Sequence, residues 1–349
     1  MNAALANEAP EAAAGAGDRP SLPADMAAVK APRYGSPDVL ELVRLPRPTP
    51  GRGEVLVEVK VAGLSRAALH LLTGTPYLLR LAGFGLLRPK NPVGTELAGT
   101  VVEVGPDATR LKVGDEVFGY GFGTAAEFAV AKDDKLAIKP PELSFAQAAA
   151  TVDSASTALQ AVRDHANVTA GQRVLILGAS GGVGTFAVQI AAALGGEVTG
   201  TASAAKLDFV RSLGATNVID HHATDPLATG PYDVILDLGG NRPVKQMREA
   251  LTPEGTLVIV GGEGGGKLTG GFQRQLLAPM KAKRSTQSVK TVMAKEHHRY
   301  MDDLGAMVAA GKVTPAIDQT HKLADTKLAM QRMQKGTIKG KDVVMVTAG

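Results

Sequence analysis

The chain of 349 residues contains no cysteine and no tryptophan, and aromatic residues make up only 4% of it. Without cysteine there are no disulfides, thiolate zinc sites, iron-sulfur clusters or catalytic thiols. Long apolar runs are missing too: Gly, Pro or a charged residue breaks every hydrophobic stretch well before the ~20 residues that a membrane-spanning helix needs. The opening segment has neither a positively charged start nor an apolar core, so no secretory signal is expected. Charge of one sign does not accumulate. Lys and Arg total 38 against 34 Asp and Glu, a net charge of +4, scattered except for a mild excess beyond Met280. That pattern argues against nucleic acid as a partner and suits a solvated surface or a site for a phosphorylated cofactor.

With 44% hydrophobic residues, the composition is that of a soluble globular protein with room for about two domains. Residues 1–25, rich in Ala, Pro and Gly, read as a disordered tail. From Met26 to about Asp134, valine-rich segments alternate between Gly and Pro signals at Glu54–Val61, Gly99–Gly105, Gly114–Gly119 and Ala126–Ala131. These predict strands of an antiparallel β domain. From Gln172 the rhythm changes. The strand Val174–Leu177 enters a glycine-rich turn and an apolar helix, Phe186–Leu194, and further strands are predicted at Glu197–Thr201, Asn217–Ile219, Val234–Leu236, Thr256–Val260 and near Thr286–Val292. Strand-helix repetition at this spacing predicts a parallel sheet with helices on both faces, an α/β fold. Two helices (about Met293–Ala310 and Ala324–Gln334) and a strand (Val343–Val346) are predicted to close the chain. The apolar segment Leu78–Arg88 fits a greasy substrate entrance or membrane contact, or packing on its own domain or a second subunit.

The loop Gly178-Ala179-Ser180-Gly181-Gly182-Val183-Gly184 follows a predicted strand and opens a predicted helix. That context makes it a dinucleotide fingerprint. Gly181 lets the backbone approach a pyrophosphate, Gly184 lets helix and strand pack closely, and the helix N-terminus supplies free N–H groups. Ala179 stands where the strict pattern has its first glycine. An NAD site places Asp or Glu at the end of the second strand, whereas here that strand ends in Thr201, followed by Ser203 and Lys206. Three donors and no carboxylate point to NADPH; Lys206 also reads as an ordinary exposed lysine.

Four segments, Gly178–Gln189, Arg33–Leu42, Gly94–Gly105 and Gly114–Gly119, together resemble the medium-chain dehydrogenase/reductase superfamily, in its zinc-independent, zeta-crystallin-like quinone oxidoreductase branch. The resemblance implies a GroES-like catalytic domain in two parts, residues 26–153 and 294–349, flanking a Rossmann NADPH-binding domain at 154–293. It also implies a cofactor cleft between them, a small-molecule substrate and a homodimer; a cytoplasmic location is expected. The positions matching the zinc ligands of the alcohol dehydrogenase branch read Ser65, Thr95 and Asp153, which do not make a zinc site. The Asn and Asp usual in the quinone oxidoreductase branch are replaced by Ser65 and Ala68. By the same resemblance Thr157 faces the nicotinamide, Gly239, Gly240, Gly261 and Gly262 flank the cofactor, His221 stands where the family has a Tyr near the adenosine phosphate, and Lys341 lies near the cofactor. Arg66 matches a residue beside the cofactor phosphates and fits a surface salt bridge equally well.

Reduction of a quinone or an enone needs a nicotinamide held against the acceptor and a group that polarises a carbonyl, while water can supply the proton. Candidates for the polarising or proton-donating role are Tyr77, Ser65 and Asp153, with Thr157 beside them. Tyr77 also fits a packing role. A desolvated Asp153 would have a raised pKa and serve as acid or base; alternatively it caps the helix that follows, with Ser154. His70 reads as a hydrogen-bonded structural residue more readily than as a cleft residue, and His297 and His298 fall on a surface helix. The expected function is zinc-independent, NADPH-dependent reduction of quinones or α,β-unsaturated carbonyls. The alternatives are an NADP-dependent alcohol or aldehyde oxidoreductase, a non-redox lyase or cyclase using Asp153, and a non-enzymatic binder.

Overall fold

Valine-rich alternation in the first third of the chain and continuous apolar runs in the middle produce two different sheets. The computed structural model describes residues 22–347 apart from 78–79, 81–84, 90–92, 263–265, 267, 272–276 and 280–284. Most of the expected N-terminal tail lies outside these residues, as do Leu78, Leu79 and positions 81–84 of the apolar segment. Leu22 already packs against the core, and β1 (Asp25–Lys30) pairs antiparallel with β2 (Glu41–Pro46), so order begins before the expected boundary at Met26.

β3 (Glu54–Gly63) leads through Ser65 into α1 (Arg66–Thr73), followed by β4 (Glu96–Val104), β5 (Glu116–Tyr120), β6 (Phe128–Lys132) and β7 (Leu136–Ile138). α2 (Phe145–Leu159) continues into a π-turn at Gln160–Ala166. Next come β8 (Arg173–Leu177), α3 (Gly182–Ala193), β9 (Glu197–Ala202), α4 (Leu207–Ser212), β10 (Asn217–Asp220), β11 (Tyr232–Asp237), α5 (Val244–Glu249), β12 (Leu251–Ile259) and β13 (Ser288–Thr291). α6 (His298–Ala309), β14 (Ile317–Lys322), α7 (Thr326–Gln334) and β15 (Lys341–Met345) complete the chain. α6 starts later than the sequence predicts because His297, not a residue near Met293, is its N-cap.

The first sheet runs β14-β15-β3-β4-β5-β7, with β6 also on β3. β15 joins antiparallel to the end of β3, Val343 opposite Gly63, so the last strand of the chain completes a sheet begun near its start. The second sheet is parallel throughout, in the order β10-β9-β8-β11-β12-β13. Counted from its own first strand this is 3-2-1-4-5-6, the doubly wound Rossmann order, and β8 lies at the switch point where such sheets bind nucleotides. Buried Val174, Ile176, Phe186, Val188 and Ile190 hold β8 and α3 together, each side chain contributing about 1.5–3 kcal/mol.

α2 is shared by both halves, since it packs on β3, β4 and β5 and on α3. The division expected between Asp153 and Ser154 falls inside this helix. Its start is set by a capping box: Ser144 Oγ accepts from the Gln147 N–H at 3.2 Å, and Gln147 Oε1 accepts from the Ser144 N–H at 3.0 Å. Asp153 therefore lies within the helix and caps nothing, which overturns the capping role.

Candidate active site

The glycine turn is fastened from below by Thr201. The Gly178 N–H donates to Thr201 Oγ1 at 3.0 Å, the Ala179 N–H donates to the Thr201 carbonyl at 3.0 Å, and the Thr201 hydroxyl donates to the Ile176 carbonyl at 3.3 Å. Thr201 is 3% exposed. It builds the turn from inside and does not offer its hydroxyl to a 2′-phosphate, a correction to its expected role. At Gly184 a Cβ would run into the Gly178 carbonyl, which accounts for glycine there. Gly181 is exposed at the start of α3, where no side chain caps the helix, and Val183 is half-buried behind it. Ser180 offers its carbonyl to the Gly340 N–H at 3.0 Å. An accessible glycine backbone beside uncapped N–H groups at a helix start is a cradle that fits a dinucleotide pyrophosphate.

On the adenosine side, β9 ends in Thr201 and Ala202 and is followed by half-buried Ser203. No carboxylate stands in this segment. Lys206 is half-buried, and its Nζ donates to the carbonyls of Gly336 at 3.0 Å and Ile338 at 2.8 Å. It is thus neither an ordinary surface lysine nor a free donor. Burial pushes its ammonium pKa down, Asp318 pushes it up, and Lys339 pushes it down again. His221 is exposed beyond β10, its ring 4.2 Å from that of His222.

On the opposite side, the Gly240 N–H donates to Asp237 Oδ1 at 3.0 Å, at a φ of +70° that suits glycine. Gly239 beside it has open space where a Cβ would sit, and Gly261 packs tightly on the Leu238 carbonyl. The Gly262 carbonyl accepts from the Gly271 N–H at 2.9 Å, and a Cβ on neighbouring Gly270 would lie 2.9 Å from Pro76. The stretch after β12 thus meets the first domain at Pro76. Tyr77 is 41% exposed on this rim, with the Arg80 guanidinium 4.6 Å from its ring centroid. No hydrogen bond from its hydroxyl, to Ser65, Asp153 or any other residue, is found among the described residues. Half-buried Thr157 lies one helical turn beyond Asp153 on α2.

Ser65 and Asp153 do come together. Ser65 is 5% exposed, and its Oγ is buried without a hydrogen-bond partner among the described residues. It lies near enough to favour the ionised Asp153 carboxyl, yet outside hydrogen-bond geometry. Burial and the Glu96 charge raise the pKa of Asp153 to about 6, against lowering by Lys341 and Ser65. Glu96, fully buried at the start of β4, pairs with Lys341 Nζ at 3.0 Å and accepts from the Asp153 N–H at 3.3 Å through the same Oε2. Lys341 therefore spends its charge on Glu96, while its stem passes 3.2 Å from where a Gly182 Cβ would be. Buried Tyr120 donates to the Val152 carbonyl at 3.5 Å; burial, then the Asp153 charge, raises its pKa well above the usual tyrosine value. Glu96 and Tyr120 were not singled out from the sequence, although a carboxylate opening an apolar strand is a recognisable oddity.

The remaining candidates have other tasks. His70 Nδ1 is 3.0 Å from the Thr75 carbonyl, a structural contact. His297 caps α6, His298 pairs with Asp302 at 2.8 Å, and the carbonyl of half-buried Thr95 accepts from the Gly121 N–H. Among the described residues no three His, Asp or Glu side chains are arranged to hold a metal ion, and no helix is long and apolar enough to cross a membrane.

Comparison with known proteins agrees with this geometry. Residues 51–142 match the alcohol dehydrogenase GroES-like domain, and residues 213–344 match the zinc-binding dehydrogenase family. A chloroplastic quinone-oxidoreductase homolog of Spinacia oleracea is 30% identical over 326 residues, covering 89% of this chain and 95% of that protein. The solved quinone oxidoreductase of Coxiella burnetii superposes with a TM-score of 0.82 at 28% identity, over 93% of this chain and all of that one. The CurK enoyl reductase superposes with a TM-score of 0.80 at 27% identity, again over 93% of this chain and all of that one. With its GroES-like domain, Rossmann domain and zinc-ligand positions occupied by Ser, Thr and Asp, the chain belongs to the medium-chain dehydrogenase/reductase superfamily, among the zinc-independent quinone oxidoreductase-like oxidoreductases.

Proposed function

We propose that this oxidoreductase uses NADPH to reduce quinones or α,β-unsaturated carbonyl compounds without zinc. The observation that carries the reading is the uncapped glycine turn at the switch point of the parallel sheet, with no carboxylate in the segment that ends β9. Gly181 and the first N–H groups of α3 hold the pyrophosphate. Ser203 and the Lys206 ammonium, which also donates to the carbonyls of Gly336 and Ile338, donate to a 2′-phosphate, and nothing acidic in that segment repels it. Gly239, Gly240, Gly261 and Gly262 leave room for the nicotinamide end, and Thr157 borders it.

When bound, NADPH supplies the hydride. The Ser65 hydroxyl, which has no partner among the described residues, donates a hydrogen bond to the acceptor's carbonyl oxygen and stabilises the negative charge that develops there. The likeness to a quinone oxidoreductase and to an enoyl reductase supports this pair of acceptor classes. The test is loss of nicotinamide absorbance with NADPH and a panel of quinones and enones, run with and without a chelator. Consumption indifferent to the chelator is expected; tight NADPH binding with no turnover on any acceptor would sink the proposal. The raised pKa of Asp153 favours one second reading, a non-redox base on the same fold, which predicts product without net oxidation of the cofactor.

A further inference from the structure

Three ionisable residues from distant stretches of chain lie close together. Glu96 opens β4, Lys341 opens β15 and Asp153 projects from the middle of α2. Glu96 and Lys341 are 0% and 3% exposed, so their ion pair sits in the interior between the two sheets. A buried pair of this kind is seldom retained for stability, because desolvation offsets most of its attraction. It has two attachments that a structural pair would not need. One Glu96 oxygen accepts from the backbone of Asp153, and the Lys341 stem supports the glycine turn at Gly182. Glu96 holds the ammonium, and of the two carboxylate residues only Asp153 keeps some exposure, beside Ser65, whose hydroxyl has no partner among the described residues.

We propose that Asp153 donates the proton in the reaction and that the Glu96–Lys341 pair is the positioning element that holds and charges it. This rests on the reductase reading. With an enone, hydride adds to the β carbon and the C=C electron pair moves into the enolate. The O–H bond of the Asp153 carboxyl then breaks, a C–H bond forms at the α carbon, and the carboxylate recovers a proton from water. One hydride and one proton are consumed per saturated carbonyl formed. The groups that face Asp153 are Glu96 on β4, Lys341 on β15, Ser65 before α1, Tyr120 on β5, and Glu296 before α6. Glu96 favours the proton on Asp153 and Lys341 disfavours it.

The two partners therefore act with opposite sign, which general damage to the site does not mimic. In kcat–pH profiles with saturating NADPH and an enone, the wild-type rate should fall as pH rises past the Asp153 titration. Glu96→Gln should move that limb to lower pH, and Lys341→Met should move it to higher pH. Asp153→Asn should lose about 100-fold or more in kcat, with NADPH affinity, read by nicotinamide fluorescence, changed less than about threefold; Asp153→Glu should recover part of the rate. Infrared difference spectra of the cofactor-free protein should show a carboxyl band that titrates in the wild type, is absent from Asp153→Asn and shifts oppositely in the two partner variants. Limbs that move in the same direction, or a full rate for Asp153→Asn, would overturn the proposal. If the wild type oxidises no NADPH on any acceptor, the reductase reading fails instead, and the infrared titration still reports whether Glu96 and Lys341 set the Asp153 proton.

Discussion

At Gly184 there is no room for a methyl group, since a Cβ would meet the Gly178 carbonyl and lie 2.7 Å from the Ala179 carbonyl carbon. Gly184→Ala is expected to destabilise the protein by roughly 1–3 kcal/mol, read by denaturant unfolding, and to weaken NADPH binding as the turn shifts. An unchanged midpoint would mean that helix and turn are not packed as described. Asp153 shows the opposite balance. Its carboxyl pKa rises from 3.8 to about 6 on folding, so in that window the native state keeps a proton that the unfolded chain has released, and stability falls as pH rises through it. Asp153→Asn removes a buried charge and should raise the melting temperature at pH 7. That gain should disappear below about pH 4, where the wild-type carboxyl is neutral in both states. Calorimetry at the two pH values checks the sign. A residue that weakens the fold at the working pH yet remains in place is what a stability–activity trade-off looks like.

At the scale of elements, α2 depends on a local signal. Ser144→Ala removes one half of the capping box and should cost about 1 kcal/mol, measured by chemical denaturation, with little change in cofactor affinity because the cap lies at the far end of the helix from Thr157. The box shows what could be read in advance and what could not. β8, the glycine turn and α3 were legible because each depends on neighbours within a few positions: an apolar run, glycines, then a helical apolar face. The box is just as local, since Ser144 and Gln147 stand three positions apart. A strand end exposes some side chains and buries others, and only the register of β9 against β8 decides that Thr201 faces inward. Glu96 with Lys341 is a pairing across 245 positions, set by β15 joining β3. No periodicity in either segment announces it.

Among the contacts that join the two halves of the molecule are α2 itself, the Gly340 N–H to Ser180, the paired hydrogen bonds of Gln189 with Thr314, Pro76 against Gly270, and Lys206 reaching the carbonyls of Gly336 and Ile338. Lys206 thus has two possible employers, the 2′-phosphate and the opposite domain, and one substitution separates them. Lys206→Ala should weaken NADPH about tenfold or more while leaving NADH within about threefold, consistent with loss of a charged hydrogen bond. Equal weakening of both nucleotides, measured by fluorescence titration, would assign the lysine to the junction alone.

The strand order has a further consequence for how the protein is made. The first part of β3 pairs with β6, but its last residues, Val61–Gly63, wait for β15. During translation the whole parallel sheet leaves the ribosome before β15 does, so the nucleotide half has its full set of strands while the other sheet still has an open edge. Only β15 closes that edge, and it brings Lys341 to Glu96. A chain stopped short of Lys341 would possess its glycine turn, an exposed strand edge and a buried acid without its counter-charge. The ion pair beneath Asp153 is therefore complete only after the nucleotide half has all its strands.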